Sequence, residues 1–394
     1  MTAATRSTNP HNVDHLVIGG GPAGAMVALR LASAGRSVLL IEKESGLHHK
    51  VCGEFLSREA IEYLHQIGMN PLDLGAVPIQ NLRISAGGKT ITASLPFHAL
   101  SLSRRVLDAA LLTRVEESGC RILRGTAVES LTPDGNHWIA SISSVDSFRA
   151  SNVFLATGKH GLRGFARSPA KQFDLIGFKM YWQLAPAQIL ALRECMDLFL
   201  FQGGYGGLSL IEGDVANLCL VVRRSKLRSA GGWTQLFDLI LRDSHHLSQL
   251  FDGGTALWPR PLAISPIPYG YLVRESGGLW CVGDQAAVIP SFTGDGISIA
   301  LHSAALAAQM FVAGSSAADY NRALHAQLTR SMALATMLSR GAVTSVGRTA
   351  ALAALSLAPN AVRWVASSTR IPQSSLTSRE GLLQAARSAA HPVT

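Results

Sequence analysis

The sequence predicts an α/β fold with an α+β insertion: a unit on a parallel sheet, a mixed and largely antiparallel sheet inserted into it, and a helical C-terminus. Three observations lead there. The apolar run 15–18 ends in Gly19-Gly20-Gly21-Pro22-Ala23-Gly24, and 25–34 then carries small and apolar residues at helical spacing, which reads as strand, tight turn and helix. Residues 175–184, 198–201, 208–211 and 218–222 alternate in the manner of antiparallel strands. Far downstream, the run 279–282 leads into Gly283-Asp284 and Gly294 opens a helical pattern reaching about Val312, so the first unit resumes after the insertion.

Each element has a local reason. Gly35 closes the first helix, and 37–41 is a second buried strand with Glu42 at its end. Residues 57–67 have amphipathic helical spacing, whereas 82–84 and 90–94 flank Gly87-Gly88 as the arms of a hairpin. Ser103 caps a helix running through Leu107, Leu111 and Val115. Residues 121–123, 126–131, 138–143 and 153–156 read as strands, with Gly158 directly after the last; 233–241 reads as a helix within the inserted sheet. The domain boundaries expected are 12–80, 100–168 and 274–330 for the first unit, 81–99 and 169–273 for the inserted sheet, and 331–394 for a helical segment.

With 394 residues, 47% of them hydrophobic, the chain builds substantial cores and is not disordered as a whole. The net charge of +9 is spread along the sequence, without the concentrated basic face and aromatic platforms that nucleic acid requires. It suits anionic cofactors, acidic carrier proteins or lipid headgroups instead. Cys52, Cys120, Cys195, Cys219 and Cys281 are scattered and form no C-x-x-C pair, which argues for a reducing compartment and against zinc. No apolar stretch has signal-peptide or membrane-spanning character, so a cytoplasmic location is expected.

The glycine turn has the context that gives it chemical meaning, since it follows a strand, opens a helix, and has Glu42 beyond the next strand. Gly19 permits the tight turn, Gly21 the close approach of a pyrophosphate, and Gly24 close helix packing, with Pro22 and Ala23 in the first helical turn. Glu42, with Lys43 beside it, would accept from ribose hydroxyls. This reads as a Rossmann-like site for NAD or FAD.

The stretch 279–308, LWCVGDQAAVIPSFTGDGISIALHSAALAA, resembles the late Gly-Asp motif of flavoprotein monooxygenases and geranylgeranyl reductases. The resemblance implies FAD, with Gly283 and Asp284 at the ribityl chain and Pro290, Gly294, Gly296 and Ile297 at the flavin ring. SRRVLDAALL at 103–112 is similar to the R-x-x-L-D-x-x-L segment of the same families, which brings Arg104 to FAD, with Val128 near the adenine and Gly158 at the cofactor. HHKVCGEFLS at 48–57 is similar to the P-C-G-G-G-L loop of geranylgeranyl reductases, making Cys52 and Gly53 flavin neighbours and Lys50, Cys52 and Glu54 catalytic candidates. Glu54 is favoured for proton transfer. The resemblance covers roughly residues 14–330.

Tyr181, Trp182, Phe201 and Tyr205 are candidates for an apolar substrate pocket, while Gly203 to Gly207 is no second dinucleotide turn because no helix follows. Two departures matter. Gly158-Lys159-His160 replaces the aspartate-glycine pair that touches FAD and NADPH in aromatic hydroxylases, and residues 181–186 lack the W-x-W-x-I-P motif of flavin halogenases. The resemblance implies an FAD-dependent oxidoreductase acting on a hydrophobic small molecule, of polyketide, aromatic or isoprenoid type. NADPH or NADH, a partner reductase or a carrier protein would supply electrons. Monooxygenation through a flavin hydroperoxide ranks first, reduction of a carbon–carbon double bond second, and a non-catalytic flavin-fold binding protein third. Residues 341–394 hold five arginines and one glutamate among many Ala and Leu, suiting helices that pack on the flavin unit or lie peripherally on a membrane.

Overall fold

The computed structural model describes residues 10–86, 88–142, 146–165, 167, 174–357 and 360–390. Its parallel sheet is centred on His11–Ile18, flanked by Val38–Glu42 and Ser147–Leu155. Arg121–Arg124 extends it beyond Val38–Glu42, and Trp280–Cys281 pairs with the far end of Ser147–Leu155. Leu16, Val17, Leu39, Leu40 and Ile41 are all buried because helices cover the sheet, with Pro22–Ser33 packed against Gly296–Val312. The return at Trp280–Cys281 is the resumption expected from the sequence.

The expected strand at 126–131 is shorter. Gly125 turns the chain at positive φ, the Thr126 amide donates to the Glu42 carbonyl, and the Glu129 amide to Ser141. Residues 126–129, Val128 among them, therefore lead from one edge of this sheet to the other outside the ladder, which starts only at Ser130–Asp134. The Gly-Gly hairpin is longer than expected, Val77–Ala86 against Lys89–Ser101; Gly87 itself lies outside the described residues.

That hairpin joins the second sheet, which also contains Leu175–Gln183, Cys195–Phe201, Gly204–Ile211 and Val215–Arg223, together with Phe55–Leu56. The boundary expected at residue 81 thus falls inside a strand, and Phe55–Leu56 pairs with the inserted sheet rather than the parallel one. Period-two alternation gives this sheet two unlike faces. Phe178, Met180, Leu208, Leu218, Leu220 and Phe201 form an apolar face against Trp233–Asp243 and His245–Phe251. On the other face, strand register sets Lys179 opposite Cys219, Tyr181 opposite Asn217, and Asn217 opposite Ser209. Gly204 and Gly206 serve the apolar face, since added Cβ atoms would lie 2.5 Å from the Phe201 ring and 2.2 Å from the Phe199 ring.

The C-terminal residues are not a separate segment. Ala317–Ala342 runs across position 331 as one helix with a Ser316–Asp319 capping box. Ile371 and Leu382 are buried in the same core as the parallel sheet, and the Thr377 amide donates to Tyr63 Oη at 3.1 Å. No helix among the described residues is long and apolar enough to cross a membrane. Leu382→Ala should cost about 2–5 kcal/mol in urea unfolding; a change within ~0.5 kcal/mol, the usual surface effect, would show that this helix does not belong to the core.

Candidate active site

The glycine turn is built by sterics. Gly19 has φ +108°, and an added Cβ at Gly24 would lie 1.8 Å from the Gly19 carbonyl oxygen, so strand and helix meet only through bare backbone. Gly21 caps the helix Pro22–Ser33, whose N-terminus presents a positive dipole end. Glu42 Oε2 accepts from the Gly20 amide at 2.5 Å and Oε1 from the Glu44 amide at 3.1 Å, which sets the carboxylate beside the turn. Lys43 points outward and pairs with Glu44.

Distant residues converge here. Arg104 reaches within 3.4 Å of the Cβ position of Gly21 and grips Asp108 with two bonds of 2.7 and 2.8 Å. Burial disfavours its charge, yet Asp108 outweighs that and holds the guanidinium above its usual range. Lys50 lies 3.3 Å from the same Asp108 carboxylate, whose pKa burial would raise but the two cations pull down. Across the cleft, Asp284 Oδ2 accepts from Lys159 Nζ at 2.9 Å, and Arg167 ties the Gly158 carbonyl to the Asp284 carbonyl. Gly283 needs its positive φ, and a Cβ there would meet that of Ala23 at 2.9 Å, locking the Gly-Asp turn onto the first helix. Added Cβ atoms at Gly53, Gly158 and Gly296 would meet nothing within 4 Å, so these backbones border open space. A turn for a pyrophosphate, an acid for a ribose, a ribityl-side Gly-Asp and a cradle of bare backbone fit FAD. Pro290 and Ile297 flank the Gly294 turn, where a Cβ would press into the Phe55 ring at 2.5 Å.

The loop bearing Cys52 and Gly53 is pinned from the sheet side. Asn217 Nδ2 donates to the Cys52 and Gly53 carbonyls at 3.3 and 3.0 Å. Glu54 is fully buried at φ +59°, an uncommon conformation for a residue with a side chain, and its carbonyl accepts from the Leu102 amide. Its Oε1 accepts from the Arg104 amide at 2.7 Å, from Tyr181 Oη at 2.9 Å and from Lys179 Nζ, while Oε2 accepts from Tyr181 at 2.8 Å. Burial pushes the Glu54 carboxyl above its ordinary range against the pull of Lys179. Enclosed and fully engaged, Glu54 is a positioning residue, which corrects its expected role in proton transfer. Cys52 Sγ accepts from the Glu54 amide at 3.3 Å, also meets the Arg104 guanidinium, and is only partly buried. Burial pushes the Cys219 thiol up to about 12.

The pocket candidates divide by strand face. Tyr181 lies on the loop side, with His49 and Trp258 at ring-centroid distances of 5.2 and 4.7 Å. Trp182 is a correction: one residue along the strand it faces the other way and packs on Phe237 and Phe251, and Phe201 joins it in that core. Tyr205 is buried in a third cluster with Tyr269 beside Phe292. Lys179, Asn217, Trp258, Asp108, Lys159 and Arg370 were absent from the expected site. Asp108 lies in the R-x-x-L-D segment and Lys159 at the departure noted above; Lys179 had a signal of its own, a charge inside the apolar run LIGFKMYW, which folding must bury and pair. Arg370 comes from the C-terminal segment, 2.5 Å from Asp295 Oδ1 and 2.8 Å from the Thr293 carbonyl.

Residues 12–161 match the FAD binding domain family. The chain is 25% identical over 318 residues to menaquinone reductase of Mycobacterium tuberculosis H37Rv, covering 76% of each protein. It is 26% identical over 337 residues to digeranylgeranylglycerophospholipid reductase 1 of Methanothermobacter thermautotrophicus, covering 78% of this chain and 79% of that one. A geranylgeranyl bacteriochlorophyll reductase-like protein from Thermoplasma acidophilum shares the fold, with a TM-score of 0.70, 19% identity and 96% coverage of both chains. Fold and site define a flavoprotein. The chain is an FAD-dependent oxidoreductase, similar to flavoprotein monooxygenases and geranylgeranyl reductases.

Gly24→Ala should abolish copurifying flavin absorbance and cost about 1–3 kcal/mol from overpacking; a variant retaining stoichiometric FAD would refute this cradle. Asp295 gives a pH test. Burial pushes its pKa up to about 7 from an ordinary 3.8 although Arg370 pulls it down. A raised acid contributes stability that is complete below 3.8 and lost as pH rises through about 7. Unfolding of Asp295→Asn should therefore lack the decline that the unaltered protein shows from pH 4 to 7, and identical pH profiles would contradict the shift.

Proposed function

We propose that this enzyme reduces a carbon–carbon double bond in a long isoprenoid chain, adding a hydride to one carbon and a proton to the other. When bound and reduced, FAD would supply the hydride; the protein supplies the proton and the geometry. The observation that carries this reading is the setting of Cys52, a partly exposed thiol in contact with the Arg104 guanidinium and within electrostatic reach of Lys159. Cys52 Sγ, beside Arg104 and Lys159, gives its proton to the substrate carbon, and water then returns the proton. The Glu54 amide orients Sγ, Asn217 holds the consecutive carbonyls of Cys52 and Gly53, and the Lys179–Glu54–Tyr181 contacts fix the loop against the sheet. Lys50, committed to Asp108, helps to hold the arginine rather than reaching for substrate.

His49, Tyr181 and Trp258 provide an aromatic wall suited to an unsaturated hydrocarbon chain. Two of the reductases similar to this chain are named for substrates that carry polyprenyl chains, menaquinone and a digeranylgeranyl phospholipid. Such substrates reside in membranes. Exposed Met337, Val346 and Trp364 on the C-terminal helices, with Arg340 and Arg363 beside them in sequence, suit peripheral contact with an anionic bilayer. NADPH or NADH is the electron donor in this reading, and a partner reductase or carrier protein takes that place if neither bleaches the flavin anaerobically.

The test is anaerobic incubation of dithionite-reduced holoenzyme with menaquinone or a geranylgeranyl lipid, followed by mass spectrometry. A product heavier by two hydrogens is expected, and in D2O both are deuterium, because dithionite supplies only electrons and the flavin hydride and the thiol proton both derive from solvent. Cys52→Ala should slow product formation by about 10²-fold or more while FAD content stays unchanged. Label from ¹⁸O2 in an aerobic product, with no anaerobic turnover, would replace this reading by monooxygenation.

A further inference from the structure

On the far side of the flavin-ring turn lies a cavity of about 690 Å³ that takes no part in the chemistry above. Its walls come from the start of the helix Arg58–Gln66, the strand Lys89–Ser101, the helix Ala317–Ala342 and the C-terminal stretch 367–375. Three arginines border it, Arg58, Arg330 and Arg370, and Ser367, Ser368, Ser374 and Ser375 also line it. The acid on its wall is Glu59, which is buried and already engaged by Ser57 Oγ at 2.6 Å and Arg58 at 3.3 Å. Arg370 spends its charge on Asp295 and lays its plane over Phe97 at 4.2 Å. Arg330 makes no hydrogen bond or ion pair with any described residue.

Positive charge is thus left in excess in a concave, hydroxyl-rich site of the size that takes small molecules. Guanidinium groups match phosphate oxygens in pairs, and serine hydroxyls donate to the rest. We propose that this cavity is a binding site for a phosphate ester, with Arg330 and Arg58 contacting the phosphate and Arg370 forming its floor. Arg370 also donates to the Thr293 carbonyl and pairs with Asp295, so the floor of the site is one residue from Gly294. Occupancy bears on the turn that holds the flavin ring. The inference stands on the cavity itself and not on the reaction proposed above.

The probe is inorganic pyrophosphate, titrated calorimetrically into FAD-loaded protein so that the dinucleotide cleft is already filled. Saturable binding is expected at constant ionic strength, weakened about tenfold in Arg330→Gln, as loss of one charge-assisted contact implies. Arg330 is solvent-exposed, so this variant keeps the fold, and its FAD content serves as the control. Cosedimentation with phosphatidic acid vesicles, against phosphatidylcholine alone, separates the two sources of the phosphate. Arg330-dependent vesicle binding assigns the site to a lipid headgroup; pyrophosphate binding without it assigns a soluble phosphate ester. No binding of either probe, or binding that Arg330→Gln and Arg58→Gln leave intact, overturns the proposal.

Discussion

The arrangement of this protein depends on one buried ion pair. Glu54 and Lys179 are both fully enclosed, one in the loop that lines the flavin cleft and the other in the middle of a sheet strand. Neither charge is tolerable alone, because removing an ion from water costs several kcal/mol even after the protein relaxes. Pairing offsets that cost only with further hydrogen bonds, and Tyr181 and the Arg104 amide provide them. The same contacts hold Glu54 in its left-handed conformation and present Cys52 and Gly53 to the cleft. Loop, sheet and the first turn of the helix Arg104–Glu117 are therefore positioned together.

Around the cleft, cations are used in pairs with acids. Arg104 and Lys50 share Asp108, and Lys159 takes Asp284. Such pairing keeps each long side chain in one geometry before a cofactor arrives, which lowers the entropy lost on binding. The position where aromatic hydroxylases carry an aspartate holds Lys159 here, and the structure gives it a partner on the opposite side of the cleft.

The C-terminal helices act as a third wall. Their apolar residues complete the core beneath the parallel sheet, and Arg370 closes over Asp295 at the start of the helix Gly296–Val312. An acid at that helix start is favoured by the dipole, but burial makes its charge costly, and the arginine shares the burden. The residues that resemble no part of the flavin motifs thus complete the turn those motifs form.

The glycine turn, Glu42, the Gly-Asp turn and the strand periods were all legible in the sequence, since each rests on backbone sterics or side-chain alternation within a few residues. The same alternation carried the answer for Tyr181 and Trp182, but which face looks inward depended on what packs against each. Only the tertiary structure decided that Glu54 meets Lys179 across 125 positions, that Lys159 meets Asp284 across 125, and that Arg370 meets Asp295 across 75. The physical reason is that backbone constraints act locally along the chain. Burial, which decides which charges must find partners, is a property of the folded whole.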